Sequence, residues 1–334
     1  MFISQFFEPH DDHSATFAAI RAELRNAEGT ALTALLKDLK PDYGQVWRDI
    51  ALGYLGLLWS CASTVWLARM GVIGGVLAVA FGAAGVGFCI AYIQLFIHEG
   101  SHANLARTRK TSDLLCDLFV GWLIGSSVRK YRKVHFEHHR AFGTTGDAEN
   151  TYFRALNGLF ILKALTGWRV VEVLTARARL TAPKAKAGSS EGAGRDRLVL
   201  LGGVAAHLAI LAALVLLGGW AAALAWVAGV GVVFPFLGAL RQLLEHRSLE
   251  ARGAVDYTQV DHGAYTRMFG TGLVARTFGA AGFNRHLLHH WEPSVSYTCF
   301  DALEDIFVGV GMGPALDARR TTYGAAFRAL YNRR

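Results

Sequence analysis

Four long apolar runs limit what this chain can fold into more than any other feature. Each is long enough to cross a hydrocarbon core of about 30 Å, which needs about 20 residues of helix. Backbone polar groups inside a bilayer must be satisfied within the protein, so such runs are expected to be helical. The sequence therefore predicts an all-α integral membrane protein. Its four predicted transmembrane helices lie at residues 50–69, 71–97, 198–217 and 221–240.

The four runs form two pairs with very short connections. Arg69 and Met70 separate the first pair, and the segment 218–220 separates the second. Each pair is predicted to form a helical hairpin, which leaves the long polar segments on one side of the membrane. The segment 98–197 carries 17 Lys and Arg residues, and such residues collect on the cytoplasmic side. We therefore expect both termini and the long segments to be cytoplasmic and to form a helical cap.

This topology divides the chain into three predicted regions. Residues 1–49 are predicted to be a cytoplasmic amphipathic segment, 50–310 the membrane domain and 311–334 a cytoplasmic tail. The first residues lack a basic segment followed by a cleavable apolar stretch, so no signal peptide is expected. Residues 114–128 are apolar but too short to cross. Residues 155–180 are predicted to form an amphipathic helix on the anionic leaflet.

The composition agrees with a membrane protein. Hydrophobic residues make up 52% and charged residues 18% of the chain, and the mean hydropathy is +0.28. These values exclude disordered and collagen-like chains. The net charge of +8 fits the cytoplasmic face of a membrane better than a nucleic-acid partner. None of the four cysteines forms a CxxC pair, so neither a thiolate zinc site nor a disulfide framework is indicated.

The histidines carry the predicted chemistry. Nine of the thirteen occur in four places, all on the predicted cytoplasmic side. On a helix, positions i, i+3 and i+4 share one face, and the last two diverge by about 100°. One HxxHH pattern can therefore supply two neighbouring metal ions. The nine are His98 and His102 in HEGSH, His135, His138 and His139 in HFEHH, His246, and His286, His289 and His290 in HLLHH.

Ligand type and number favour iron over the other metals that imidazole binds. Imidazole suits zinc, copper, iron and nickel. A catalytic zinc takes only three protein ligands, whereas nine histidines can hold two ions of higher coordination number. Carboxylates are expected to orient the ligating rings. The candidates for that role are Glu99, Glu137, Glu245 and Asp147.

Three segments resemble the histidine boxes of the membrane fatty acid desaturase superfamily. They read HEGSH, YRKVHFEHHRAFGTTGDAE and FNRHLLHHWEPSVSY, in the order of that family. The resemblance implies a non-haem di-iron centre that activates O2 with electrons from a separate carrier. It also implies that Asn284, just before the third box, lies close to the metal. The implied iron ligands are His98, His102, His135, His138, His139, His246, His286, His289 and His290.

The function expected from this resemblance is O2-dependent desaturation of an acyl chain, which makes the chain an oxidoreductase. A hydroxylase or ketolase of the same superfamily, acting on a lipid, is an alternative. After the third box the chain departs from many acyl desaturases, since it has Trp291, Glu292 and Pro293. A more distant alternative is a zinc intramembrane protease, because HEGSH also fits HExxH. A metal-binding protein without turnover is the remaining alternative.

The expected partners follow from what the sequence lacks and where its charge lies. It has no haem domain, Cys-rich cluster motif or GxGxxG after a strand, so a ferredoxin- or cytochrome-type donor is expected. The substrate is expected to be an acyl lipid, acyl-CoA or acyl carrier, docked on a basic surface of Arg129, Lys130, Arg132 and Lys133. Membrane lipids are expected to surround the spans. Among the remaining histidines, we expect His10, His13 and His262 to be solvated. We expect His207, in the third span, to be a hydrogen-bonded packing residue or to line a tunnel rather than to bind the metal.

Overall fold

A computed structural model describes residues 12–168, 171–172 and 190–331. All regular structure in these ranges is helical, apart from two isolated bridges. The first eight helices are α1 (Ser14–Ile20), α2 (Leu32–Leu35), α3 (Tyr43–Ala68), α4 (Gly71–Gln94), α5 (Phe96–Ser101), α6 (Arg109–Cys116), α7 (Trp122–Ile124) and α8 (Val128–Ala141). The others are α9 (Gly158–Leu165), α10 (Ser190–Ala228), α11 (Phe234–His246), α12 (Leu273–Phe278), α13 (His286–Trp291), α14 (Phe300–Gly309), α15 (Gly313–Asp317) and α16 (Tyr323–Tyr331).

The described chain forms two compact units. The first, here the membrane unit, comprises Trp47–Arg132 and Asn157–Leu240. The second, here the histidine unit, comprises Met1–Val46, Lys133–Leu156 and Arg241–Arg334. The predicted division at residues 49 and 310 stays a prediction. Residues 169–170 and 173–180 of the predicted leaflet helix at 155–180 lie outside the described residues, and so do His10 and most of the N-terminal segment on which the absence of a signal peptide was judged.

Three helical stretches are long and apolar enough to cross a membrane. They are Tyr43–Ala68, Gly71–Ser101 and Ala193–His246. The third stretch has 54 residues and would be about 80 Å long as one straight helix, far more than the bilayer core requires. Gly219 interrupts it with a φ of 68°, between the two runs that the sequence predicts as separate spans.

The helices of the membrane unit approach closely because α4 presents a face of small residues. A Cβ atom at Gly87 would lie 2.4 Å from Cβ of Val233 and 2.9 Å from the carbonyl oxygen of Gly229. Small residues allow this close approach and drive helix association where lipid offers no hydrophobic gain. Successive α4 positions meet successive positions of the later stretch, so the two segments run in the same direction. The pairs are Gly75 with Ala221, Gly82 with Ala225, and Gly87 with Val233.

The apolar segment that is too short to span is part of a sharply bent helix pair. The stretch Arg109–Ile124 and the helix Val128–Ala141 meet at 83°. Asp117, in the π-helical turn between α6 and α7, satisfies polar groups at the bend. Its Oδ1 accepts the backbone N–H of Val128 at 2.7 Å, and its Oδ2 accepts Nε–H of Arg195 at 2.6 Å. The bend is therefore stabilised by an ion pair and by a capped helix start.

The histidine unit is built around an apolar core that includes the N-terminal helices. Phe17 of α1 stacks on Trp291 of α13, with ring centroids 4.8 Å apart, and meets Phe307 of α14 edge-on. Nε1–H of Trp291 donates to the carbonyl of Asp12 at 3.0 Å. The N-terminal segment thus packs directly on the helix that carries the third histidine box.

Candidate metal centre

Seven of the nine predicted ligands lie in the histidine unit. Helix α8 carries the second box, α11 ends at His246, and α13 carries the third box. Both boxes form helical turns, so residues three and four positions apart share a face. The structure places the last two histidines of each box in different groups. The His139 group contains His135, His139 and His289, and the His246 group contains His138, His246 and His290.

The nitrogens of the His139 group converge on one point. Nε2 of His139 lies 2.9 Å from Nε2 of His135 and 2.8 Å from Nε2 of His289. One ring nitrogen offers a single hydrogen or a single lone pair, so it cannot make two good hydrogen bonds. An ion at about 2.1 Å from right-angled ligands would separate neighbouring nitrogens by about 3 Å. These distances therefore fit a shared metal ion.

The His246 group presents ring nitrogens that a metal ion could bind. The ligand atoms of its three histidines lie within 4.8 Å of one another. Nδ1–H of His246 donates to the carbonyl of Tyr265 at 3.2 Å, which leaves Nε2 for a metal. Nε2 of His138 and Nε2 of His290 are buried and have no hydrogen-bond partner among the described residues. Buried nitrogens without a partner are costly unless they bind something, so this group also fits an ion.

A further set of possible ligands shares His246 with the His246 group. It consists of Glu245, His246 and His286, whose ligand atoms also lie within 4.8 Å of one another. Arg241 donates to both oxygens of Glu245, and Tyr323 donates to Oε1 at 3.3 Å. Glu245 therefore connects α11 to the C-terminal helix α16.

The electrostatics of the buried rings favour the metal-binding form. Burial lowers the pKa of His286 and His290 well below its usual value, and the neighbouring histidines lower it further. Neutral imidazole is the form that ligates metals. Phe142 covers the His246 group, with ring centroids 5.0, 4.8 and 4.5 Å from His138, His246 and His290. Burial thus favours the neutral form of His286 and His290, whereas for His138 burial is outweighed by the hydrogen bond with Asp147 and by nearby carboxylate charges, which raise the pKa.

Two carboxylates follow the second box. Nδ1 of His138 lies 2.8 Å from Oδ1 of Asp147, the contact expected from an orienting carboxylate. Glu149, which sequence reasoning missed, has Oε1 3.8 Å from Nδ1 of His135. Its only sequence signal is its place two residues after Asp147. Glu137 was expected to orient a ring, but it is half exposed and pairs with Arg140.

His98 and His102 lie in the membrane unit, at the end of α5, with ring centroids 5.3 Å apart. His98 is buried, and its Nδ1 lies 3.8 Å from Oε1 of Glu99, which was expected to orient a ring. Oε2 of Glu99 accepts from Nδ2–H of Asn104 at 3.2 Å. The contribution of both histidines to the metal centre stays a prediction. Asn284 lies in the 3-10 turn Phe283–Arg285 just before α13, and its Nδ2–H donates to the carbonyl of Gly270 at 2.7 Å. Its predicted place beside the metal also stays a prediction.

Arg132 corrects the predicted basic docking surface. It is buried, with an exposed fraction of 6%, and donates to the carbonyls of Ser101 at 2.6 Å and Gly100 at 2.9 Å. It also pairs with the buried Asp113 through both terminal nitrogens. Arg132 therefore fixes the end of the first box instead of facing a ligand.

The structure also tests the expectations for three histidines outside the predicted ligand set. His262 and His13 were expected to be solvated, which is wrong because both are buried. Nε2 of His262 accepts the backbone N–H of Ser248 at 3.3 Å, and its Nδ1–H donates to the carbonyl of Gly263. The expectation for His207 is confirmed. Its Nε2–H donates to the carbonyl of Leu123 at 3.1 Å, and its Nδ1 accepts Nε1–H of Trp226 at 3.2 Å.

The helical fold, the apolar stretches and the buried histidine groups together describe a multi-pass membrane protein with a site suited to metal ions. The family model for fatty acid desaturases matches residues 70–310, which include all three boxes and His246. The chain therefore belongs to the fatty acid desaturase family, as its boxes predicted. No curated protein sequence matches it.

Proposed function

We propose that this chain is an O2-dependent desaturase that removes two hydrogens from the acyl chain of a fatty acid or lipid, using a histidine-ligated di-iron centre. The observation that carries the proposal is that the last two histidines of each HxxHH box lie in different groups of converging imidazole nitrogens. The family supports lipid oxidation as the reaction class. Bound iron would supply the activation of O2 that an unactivated C–H bond requires.

The chain's own residues hold and isolate that centre. His135, His139 and His289 would hold one ion through Nε2, and the His246 group would hold the other. In this proposal His98, His102 and His286 complete the ligand set, as the resemblance implies. Asp147 keeps a hydrogen on Nδ1 of His138 and leaves Nε2 deprotonated toward the ion.

Exclusion of water is the second task of the site. Phe142 covers three of the imidazoles, and Phe283 stacks on His286 with ring centroids 4.6 Å apart. Leu287 and Leu288, between the histidines of the third box, are fully buried. A dry cavity strengthens electrostatic interactions and prevents side reactions.

The proposed topology places this chemistry at the cytoplasmic face. The two halves of the 54-residue stretch would form the second hairpin around Gly219, and α3 with α4 would form the first. The excess of Lys and Arg between residues 98 and 197 supports a cytoplasmic position for the histidine boxes and both termini.

Electron donor and substrate carrier are further parts of the proposal. A ferredoxin- or cytochrome-type protein would deliver the electrons, because the printed sequence shows no haem, Cys-rich cluster or GxGxxG motif that would carry them to the di-iron centre. Free fatty acid, acyl lipid, acyl-CoA and acyl carrier all present the required methylene chain. Hydroxylation or ketone formation would begin with the same hydrogen removal, so substrate placement decides among these products.

Metal analysis of the purified protein, combined with mass spectrometry of lipids from expressing cells, tests the proposal. We expect two irons per chain and a lipid that is lighter by two hydrogens. His135→Ala should abolish both the product and the full metal content. A lipid heavier by one oxygen would instead indicate a hydroxylase, and one zinc with unchanged lipids would overturn the proposal.

A further inference from the structure

The three residues Asp147, Ala148 and Glu149, which follow the second box, carry two carboxylates with different neighbours. Asp147 contacts a histidine of the His246 group, and Glu149 lies beside a histidine of the His139 group. The segment is a turn in which the backbone N–H of Glu149 donates to Oδ1 of Asp147 at 2.8 Å, and its two carboxylates reach rings of different groups. The pair can therefore serve two different ions from one short stretch of chain.

Asp147 is held rigidly against its histidine. Its exposed fraction is 2%, and Oδ1 and Oδ2 lie 2.8 and 3.0 Å from Nδ1 of His138. The hydroxyl of Tyr152 donates to Oδ2, and the same hydroxyl accepts the backbone N–H of Gly143. The carboxylate thus has a fixed orientation before any metal binds.

Glu149 is held by a side chain of α11. Nε2–H of Gln242 donates to its Oε2 at 3.0 Å, and Oε1 of Gln242 in turn accepts the backbone N–H of Thr151 at 3.1 Å. Oε1 of Glu149 is buried without a hydrogen-bond partner among the described residues. It lies 3.8 Å from Nδ1 of His135, within the range of an ion pair. Gln242 lies one helical turn before His246 on α11, so it belongs to the frame of the site.

We infer that Asp147 and Glu149 are positioning residues for different metal ions, Asp147 acting through His138 on the ion of the His246 group and Glu149 acting through His135 on the ion of the His139 group. The inference rests on the proposed di-iron function. A carboxylate beside Nδ1 of a ligating histidine sets its tautomer and raises its basicity. Each ion would also gain one nearby negative charge.

A metal titration of the full-length protein in detergent tests the division. Cobalt(II) is the probe, because its absorption reports histidine ligation independently of turnover. Loss of such a carboxylate lowers metal affinity about 10- to 100-fold. We expect Asp147→Asn and Glu149→Gln each to weaken one of two cobalt sites by that factor and to leave the other unchanged. Glu137→Gln is the matched control, since this carboxylate lies on α8 beside His138 but faces solvent.

The same two carboxylate substitutions, made in a protein that already lacks one ligand, show which ion each carboxylate affects. In His246→Ala, which removes a ligand of the His246 group, Glu149→Gln should still weaken the remaining site, whereas Asp147→Asn should have no further effect. Weakening of the same site by both carboxylate variants, or of neither site, would overturn the inference. Wild-type protein that binds fewer than two ions would instead overturn the proposed function itself.

Discussion

Nε2 of His139 lies 2.8 Å from Nε2 of His289, although the two residues are 150 positions apart in the chain. The contact joins α8, which carries the second box, to α13, which carries the third. Nε2 of His139 also lies 2.9 Å from Nε2 of His135. His139 is therefore the common point of its group.

Because their nitrogens converge, we expect His139 and His289 to bind the same metal ion. His139→Gln should remove one metal ion per chain and lower product formation by more than the roughly 10- to 100-fold loss typical of a lost supporting residue. His289→Gln should have the same effect, and the double variant should be no worse than either one, because a single ion is lost in every case. Metal content and product yield of the four proteins measure this.

The matched control is His207→Gln, a substitution of a histidine outside the three boxes that bonds to Leu123 and Trp226. It should retain both ions. Additive losses in the double variant, with metal content unchanged in the single variants, would contradict a shared ion.

The buried His262 predicts a pH-dependent stability. Burial, followed by the charges of Arg247 and Arg267, lowers its pKa to about 4. The folded protein therefore favours the neutral ring, whose Nε2 accepts the N–H of Ser248. This contribution is fully present above the unfolded pKa near 6.5 and is lost as the pH falls toward 4, on the order of 2 to 3 kcal/mol in all.

Thermal unfolding at several pH values, with His262→Gln for comparison, checks this contribution. The difference in unfolding temperature between wild type and variant should shrink as the pH falls from 7 to about 4. A constant difference over that range would show that His262 titrates normally.

Membrane helices and histidine boxes were readable from the sequence because both depend on local pattern. An apolar run of sufficient length has few alternatives to a membrane helix, and the HxxHH spacing places ligands on one helical face wherever the helix packs. The start of α3 at Tyr43, before the apolar run, was not predicted. Asp42 caps this helix by accepting the N–H of Gln45, and a polar first turn carries no hydropathy signal.

Burial of polar residues was not readable, because it depends on partners far away in the chain. Arg132 looks like one of four surface cations until Asp113 and the carbonyls of the first box are placed around it. His262 is buried through its bond with Ser248, and the place of Glu149 depends on Gln242. Such pairings are set by tertiary packing and leave no periodic pattern.

Arg132 predicts a structural defect rather than a substrate defect. Arg132→Ala removes the donors to Gly100 and Ser101 and leaves Asp113 as an uncompensated buried charge, which typically costs about 3 to 5 kcal/mol. We expect a clear fall in unfolding temperature and in metal content. Lys130→Ala, which removes an exposed neighbouring cation on α8, is the control and should be near wild type. Normal stability of Arg132→Ala with impaired substrate use would restore the docking role.

The glycine face of α4 predicts that one methyl group disrupts the membrane unit. Gly87→Ala would place Cβ 2.4 Å from Val233 and 2.9 Å from the backbone oxygen of Gly229, and such overpacking costs about 1 to 3 kcal/mol. Gly202→Ala is the matched control, because no atom lies within 4 Å of its added Cβ. It should be neutral, or stabilising by up to about 1 kcal/mol through helix propensity. Unfolding temperatures in one detergent compare the two, and equal effects would contradict the close packing of α4.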